Sequence, residues 1–144
     1  MLFSSKKPTD MEALRFESDA RYVMDLYASI AKVDNLDAYL IQRGLLLESL
    51  ERIVAFQKKY PSALKGANTP IKAAEKIKKE RPEFEKAFVD RYIKATLRKA
   101  VSYKTERGRK NHINHANTVF MFSKDEFLPE TVNYFQSLIQ KVQQ

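Results

Sequence analysis

The sequence predicts an all-α protein, a single compact bundle of five or six helices. Three observations carry this. Apolar residues recur at helical spacing through most of the chain. Glycine occurs only three times, and no Asn-Gly or Asp-Gly turn is present to join two strands. No stretch alternates apolar and polar residues over a useful strand length. At 144 residues the chain fits one domain, 1–144, in which residues 1–8 read as a flexible N-terminal segment.

The first helix is expected over about residues 10–33. Thr9-Asp10-Met11-Glu12 has the capping-box pattern, in which a Thr hydroxyl and a Glu carboxylate each satisfy the other's free backbone N–H. Ala13, Phe16, Ala20, Val23, Tyr27 and Ile30 follow at spacings of three and four, which puts them on one stripe. Arg15, Ser18, Arg21, Asp25 and Lys32 face away. Asp34-Asn35 ends this helix and caps a second over 36–60. That helix carries two apolar stripes, Leu36, Leu40, Leu47, Leu50 and Val54 on one, Ile41, Leu45 and Phe56 on the other, and so reads as central. Tyr60-Pro61 closes it, because a residue before proline is pushed out of the helical region.

Residues 61–69 read as a loop marked by Gly66 and Asn68. Thr69 as N-cap and Pro70 at the first helical position open a short third helix, with Ile71, Ala74 and Ile77 inward and Lys72, Lys76 and Lys79 outward. Arg81-Pro82 starts a fourth, where Glu83 and Glu85 suit the positive end of the dipole. Phe84, Phe88, Tyr92, Ala95 and Lys99 share one side of it. It is expected to run to about Arg107, with Gly108 as its C-cap. Residues 109–122 are read as helix, with Ile113, Ala116 and Phe120 on one face. Ser123-Lys124-Asp125-Glu126 has a second capping-box pattern, and a last helix from Pro129 carries Val132, Phe135, Leu138, Ile139 and Val142.

Composition excludes several function classes. Without cysteine there is no disulfide framework, thiol nucleophile or thiolate metal site. No apolar run exceeds four residues, the length of Val119–Phe122, which is too short to cross a bilayer, and the N-terminus has no apolar core of a signal peptide. The expectation is a soluble, cytoplasmic protein with no membrane insertion. No Gly-rich phosphate loop, Gly-x-Ser-x-Gly, His-Glu-x-x-His or acidic calcium loop is present, and no cofactor is expected.

The charge is uneven. Residues 1–57 carry a net −2, residues 58–110 a net +11, and residues 111–144 a net −1, for +8 in all. The excess therefore lies on the third and fourth helices and their flanks. Lys72, Lys76 and Lys79 share one face; Arg91, Lys94 and Arg98 share another. If these point the same way they form one positive surface, joined by Arg107, Arg109 and Lys110. Such a surface attracts phosphate backbones or acidic proteins. The same pattern also serves as a plain solvated face. Tyr103 offers stacking; Tyr92 lies on the inward side.

Arg107-Gly108-Arg109 resembles the core of an AT-hook, which lays arginines into an A·T-rich minor groove. The flanks here are Glu106 and Lys110, where that motif has prolines to hold it extended. The structural alternative is a helix C-terminus, with glycine as cap and the cations on the negative dipole end.

Both histidines fall in Asn111-His112-Ile113-Asn114-His115-Ala116-Asn117. His112 and His115 can share a helical face and ligate a metal, but no third or fourth ligand is signalled. Four residues separate Arg107 from His112 and five separate Arg109 from His115. An Arg-x(4–6)-His pattern late in a small helical domain resembles the HEPN ribonucleases. That resemblance implies a dimer in which the Arg and His of two protomers cleave RNA without metal. A polar residue such as Asn often follows the Arg in that family; here Gly108 or Lys110 does. The third reading is structural, Asn and His side chains satisfying backbone groups at a helix break.

The reading is thus a non-catalytic binding protein that uses the basic face of residues 58–110 on nucleic acid. The alternative is a helical adaptor or regulatory subunit docking an acidic partner, and the third is the HEPN-like ribonuclease. Self-association through Phe3, Phe16 or Phe127 is a further expectation.

Overall fold

The computed structural model describes residues 7–61 and 68–144, apart from the side chains at 68–71, 73 and 74. Among the described residues the protein has six α-helices and no strand. They are α1 (Asp10–Ile30), α2 (Leu36–Lys59), α3 (Asn68–Lys79), α4 (Arg81–Ala100), α5 (Glu106–Phe122) and α6 (Pro129–Gln143), with a 3-10 turn at Lys124–Glu126. The all-α expectation is met. None of these helices is long and apolar enough to cross a membrane. The expected flexible start (its residues 1–6), Phe3, the 62–67 loop with Gly66, the Thr69 cap and the inward Ile71 and Ala74 lie outside the described residues or side chains.

The chain forms two compact units, one of Met1–Ile30 with Ile41–Lys79, the other of Ala31–Leu40 with Glu80–Gln144. In the first, α1 and α2 run antiparallel. Glu12 near the start of α1 meets Tyr60 at 2.7 Å and Lys59 at 3.2 Å, just past and at the end of α2. Asp19 meets Arg52 at 3.0 Å, and Ser29 meets Gln42 at 2.9 Å. The capping box forms as read: Thr9 N–H donates to Glu12 Oε1 and Glu12 N–H to Thr9 Oγ1, both at 3.1 Å. Val23, Leu50 and Ile53 are buried between the two helices, with Phe16 and Val54 packed on them. α3 lies along α1 and buries Ile77.

On α2 the expected second stripe fails at Ile41, which is exposed. Tyr39, Leu46, Ser49 and Ile53 are buried instead, at spacings of seven, three and four that make one inward stripe with Leu50. Asn35 caps α2 as expected, its Oδ1 accepting from Ala38 N–H at 2.9 Å.

The second unit is built on aromatic rings. Phe120 stacks on Phe135 at 3.8 Å and on Phe127 at 4.8 Å, and Tyr39 stacks on Phe88 at 4.2 Å. Each such ring removes enough apolar surface from water to contribute roughly 1.5–3 kcal/mol. Tyr92 keeps its hydroxyl satisfied by donating to Ala116 O at 2.8 Å, and burial pushes that phenol up to about 12. Phe127 is thus core and not the contact surface expected for self-association, while Phe16 is partly buried and stacks on Phe56 at 4.4 Å.

A buried carboxylate fixes where α6 begins. Glu85 is fully enclosed and accepts from Arg81 Nε at 2.8 Å, Leu128 N–H at 3.0 Å and Thr131 Oγ1 at 2.6 Å. The capping box expected at Ser123 does not form. Glu126 N–H goes to the Ser123 carbonyl at 2.9 Å as part of the 3-10 turn, and Leu128 is the residue that precedes α6.

The largest correction concerns the fourth helix. It ends at Ala100, and Gly108 lies inside the first turn of α5. Ser102 Oγ donates to the Lys99 carbonyl at 2.6 Å, a side-chain bond that competes with helix continuation. Thr105 then takes an extended conformation and caps α5, its side chain accepting from Gly108 N–H at 3.0 Å. Gly108 serves close approach: a Cβ there would lie 3.1 Å from Thr105 Oγ1 and 3.4 Å from the Tyr103 ring.

Candidate nucleic-acid interface

The break between α4 and α5 makes a basic corner. From residue 94 to 110 the chain holds seven cations, Lys94, Arg98, Lys99, Lys104, Arg107, Arg109 and Lys110, against one acid, Glu106. Three of the cations have partners. Arg98 pairs with Asp34 at 3.3 Å, Lys110 with Glu106 at 3.3 Å, and Arg109 Nη1 donates to the Tyr103 carbonyl at 2.8 Å. Lys94, Lys99, Lys104 and Arg107 are exposed, with no acidic partner among the described residues. Tyr103 is 40 % exposed amid these cations, and its ring tilts over His112 at 5.4 Å. Val101 beside it is 75 % exposed.

The other cations read from the sequence are placed differently. Lys72, Lys76 and Lys79 are exposed on α3, in the first unit. Arg91 belongs to the second unit but is half-buried. Its Nε donates to the Val33 carbonyl at 2.8 Å, and burial lowers its pKa. With Arg98 on Asp34, two of the three cations of that α4 face hold the segment before α2. Sequence reasoning singled out Tyr103 for stacking but missed Lys99 and Lys104, because a helix drawn through to residue 107 hid the turn. The signal was present: Ser102 and Thr105 are cap residues, and Glu106 suits a first turn.

The second unit also holds a cleft of about 320 Å³ between the start of α2, α4 and α5. Leu36, Tyr92, Ala95, Ala116 and Val119 line it with Asp34, Asn35, Asp37, Thr96, Lys99, His112 and His115. Thr96 Oγ1 donates to the Tyr92 carbonyl at 2.8 Å and the Tyr92 hydroxyl to Ala116 O, so the polar groups of the floor are turned inward. The rim keeps its own: Asp37, Lys99, the two imidazoles and the Asn35 amide group, whose oxygen alone is used as a cap.

Three motif readings change with this geometry. Arg107-Gly108-Arg109 sits at a helix N-terminus, so neither the extended AT-hook form nor a C-terminal glycine cap applies. The histidine segment lies within α5 and caps no break. Among the described residues, no group of three or more His, Asp or Glu side chains is placed to hold a metal ion.

No family model, curated protein or solved structure matches the chain.

Proposed function

We propose that this protein binds the backbone of a single-stranded nucleic acid through the corner between α4 and α5. One observation carries the reading: three exposed cations without acidic partners, Lys99, Lys104 and Arg107, lie within four residues of the exposed Tyr103 at the corner. Cations that no carboxylate neutralises are free to displace the counterions of a phosphate chain. An aromatic face among them accepts a stacked base whatever its identity. The α3 lysines, Arg91 and Arg98 have a lesser place in this reading than the corner itself. An acidic protein partner would use the same cations but has no need of the tyrosine.

The test is binding of a labelled single-stranded oligonucleotide at two salt concentrations. Affinity should fall steeply with salt and be lost when Lys104, Arg107 and Lys110 are changed together to Glu. Tyr103→Ala should weaken binding by roughly fivefold to a hundredfold, the range for one base stacked on an aromatic ring. Absence of binding at low salt would overturn the reading and leave an acidic protein as the partner to seek.

RNA cleavage is a second reading, and one observation favours it: His112 and His115 line the same cleft, beside Lys99. Imidazole is the side chain best suited to move a proton near neutral pH. RNA broken by the wild type and left intact by His112→Ala or His115→Ala would establish it; intact RNA throughout would remove it.

A further inference from the structure

The basic corner and the cleft share parts, and their chemistry is complementary. Lys99 belongs to both, and the Tyr103 ring of the corner touches His112 of the cleft. A chain of phosphates held by the corner would bring its bases past the cleft mouth. We infer that the cleft is a pocket for one unpaired nucleobase. This rests on the nucleic-acid reading above and adds a site to it.

The cleft suits a base on three counts. Its volume, about 320 Å³, lies at the lower end of the range for small-molecule sites. Its floor is apolar because Tyr92 and Thr96 spend their hydroxyls on backbone carbonyls, and a flat, weakly solvated ring loses little by covering such a surface. Its polar groups sit at the edge, where the hydrogen-bonding edge of a base would emerge. Asp37 is an acceptor there, and Asp34 beside it is already shared with Arg98. A carboxylate accepts from an exocyclic amino group and is repelled by a carbonyl oxygen. The pocket therefore prefers cytosine or adenine to thymine or uracil.

Two variants test it. Ala95→Phe fills the cleft from the half-buried face of α4. Asp37→Asn leaves its volume and removes the charge that selects the amino group; Asp37 is exposed, so this variant remains folded even if the larger ring at 95 disturbs the helix. The probe is a short single-stranded DNA with a central cytosine, its thymine counterpart and its abasic counterpart. The cytosine strand should bind about tenfold more tightly than the abasic one. Ala95→Phe should erase that difference, and Asp37→Asn should erase the preference for cytosine over thymine. Equal affinity for all three strands, with salt-dependent binding intact, would overturn the pocket and leave the corner standing. No binding of any strand would overturn both.

Discussion

Two regions of this protein treat charge in opposite ways. Along the α1–α2 pair, opposite charges meet. Glu12 reaches Lys59 and Tyr60, and Asp19 holds Arg52 through both its oxygens. At the α4–α5 corner most charges have no counterpart, and a tyrosine is exposed among them. Exposed ion pairs contribute little to stability, typically under about 1 kcal/mol. Their use at α1–α2 is to set the register of two helices. Like charges gathered without partners repel one another and add nothing to folding, so the corner is where a ligand's charge would be felt. Charge that is matched serves the fold; charge that is unmatched is available for binding.

The largest expected effects lie in the core of the second unit, at the other end of α4 and α5 from the corner. Phe120→Ala should cost about 3–5 kcal/mol in denaturant unfolding, since it empties a site stacked on two other rings. Glu85→Ala should cost a similar amount, about 3–5 kcal/mol, by leaving a guanidinium and two other donors without their acceptor. Neither loss would be matched by any single surface change in the α1–α2 pair.

Next comes the contrast itself. Replacing Lys104, Arg107 and Lys110 by Glu should lower oligonucleotide affinity by roughly a hundredfold or more. The melting temperature should hardly move, because exposed substitutions usually stay within about 0.5 kcal/mol each. The same reversal of Lys72, Lys76 and Lys79 should lower affinity much less; an equal loss would extend the interface to α3. Arg52→Ala gives the mirror image, a small loss of stability with affinity unchanged.

Smaller still are the caps. Thr9→Ala and Asn35→Ala should each cost about 1 kcal/mol in thermal unfolding. The smallest effect is in pH. The Thr9 backbone N–H, then Tyr60 and Lys59, hold the Glu12 carboxyl down from 4.5 to about 2. The folded state thus binds this proton less tightly than the unfolded one. The stabilisation is complete above about 4.5 and is lost progressively as pH falls toward about 2. Acid unfolding of Glu12→Gln should lack that component.

The sequence carries much of the fold because local signals agree with packing there. Thr9, Asn35 and Pro82 start their helices as their chemistry requires, and Val23, Ile30, Phe120, Phe135 and Ile139 fall on the buried side. It misleads where two local signals compete. Gly108 invites a C-cap, but Ser102 and Thr105 together stop one helix and start another before it is reached. The α6 start at Pro129 is legible from the proline, whereas its support by Glu85, far away in the chain, is not. The site is half legible for the same reason. Arg107, Arg109 and Lys110 stand out as a charge run, whereas Lys99, Tyr103 and His112 come together only once the turn is known.

The most direct test of the central claim is the slope of binding affinity against salt concentration, on logarithmic axes, for wild type and the triple reversal at Lys104, Arg107 and Lys110. If the corner grips phosphates, the wild-type slope is steep and the variant's is shallower by about one for each contact removed. Identical slopes for the two proteins, or no binding by the wild type at low salt, would contradict the account.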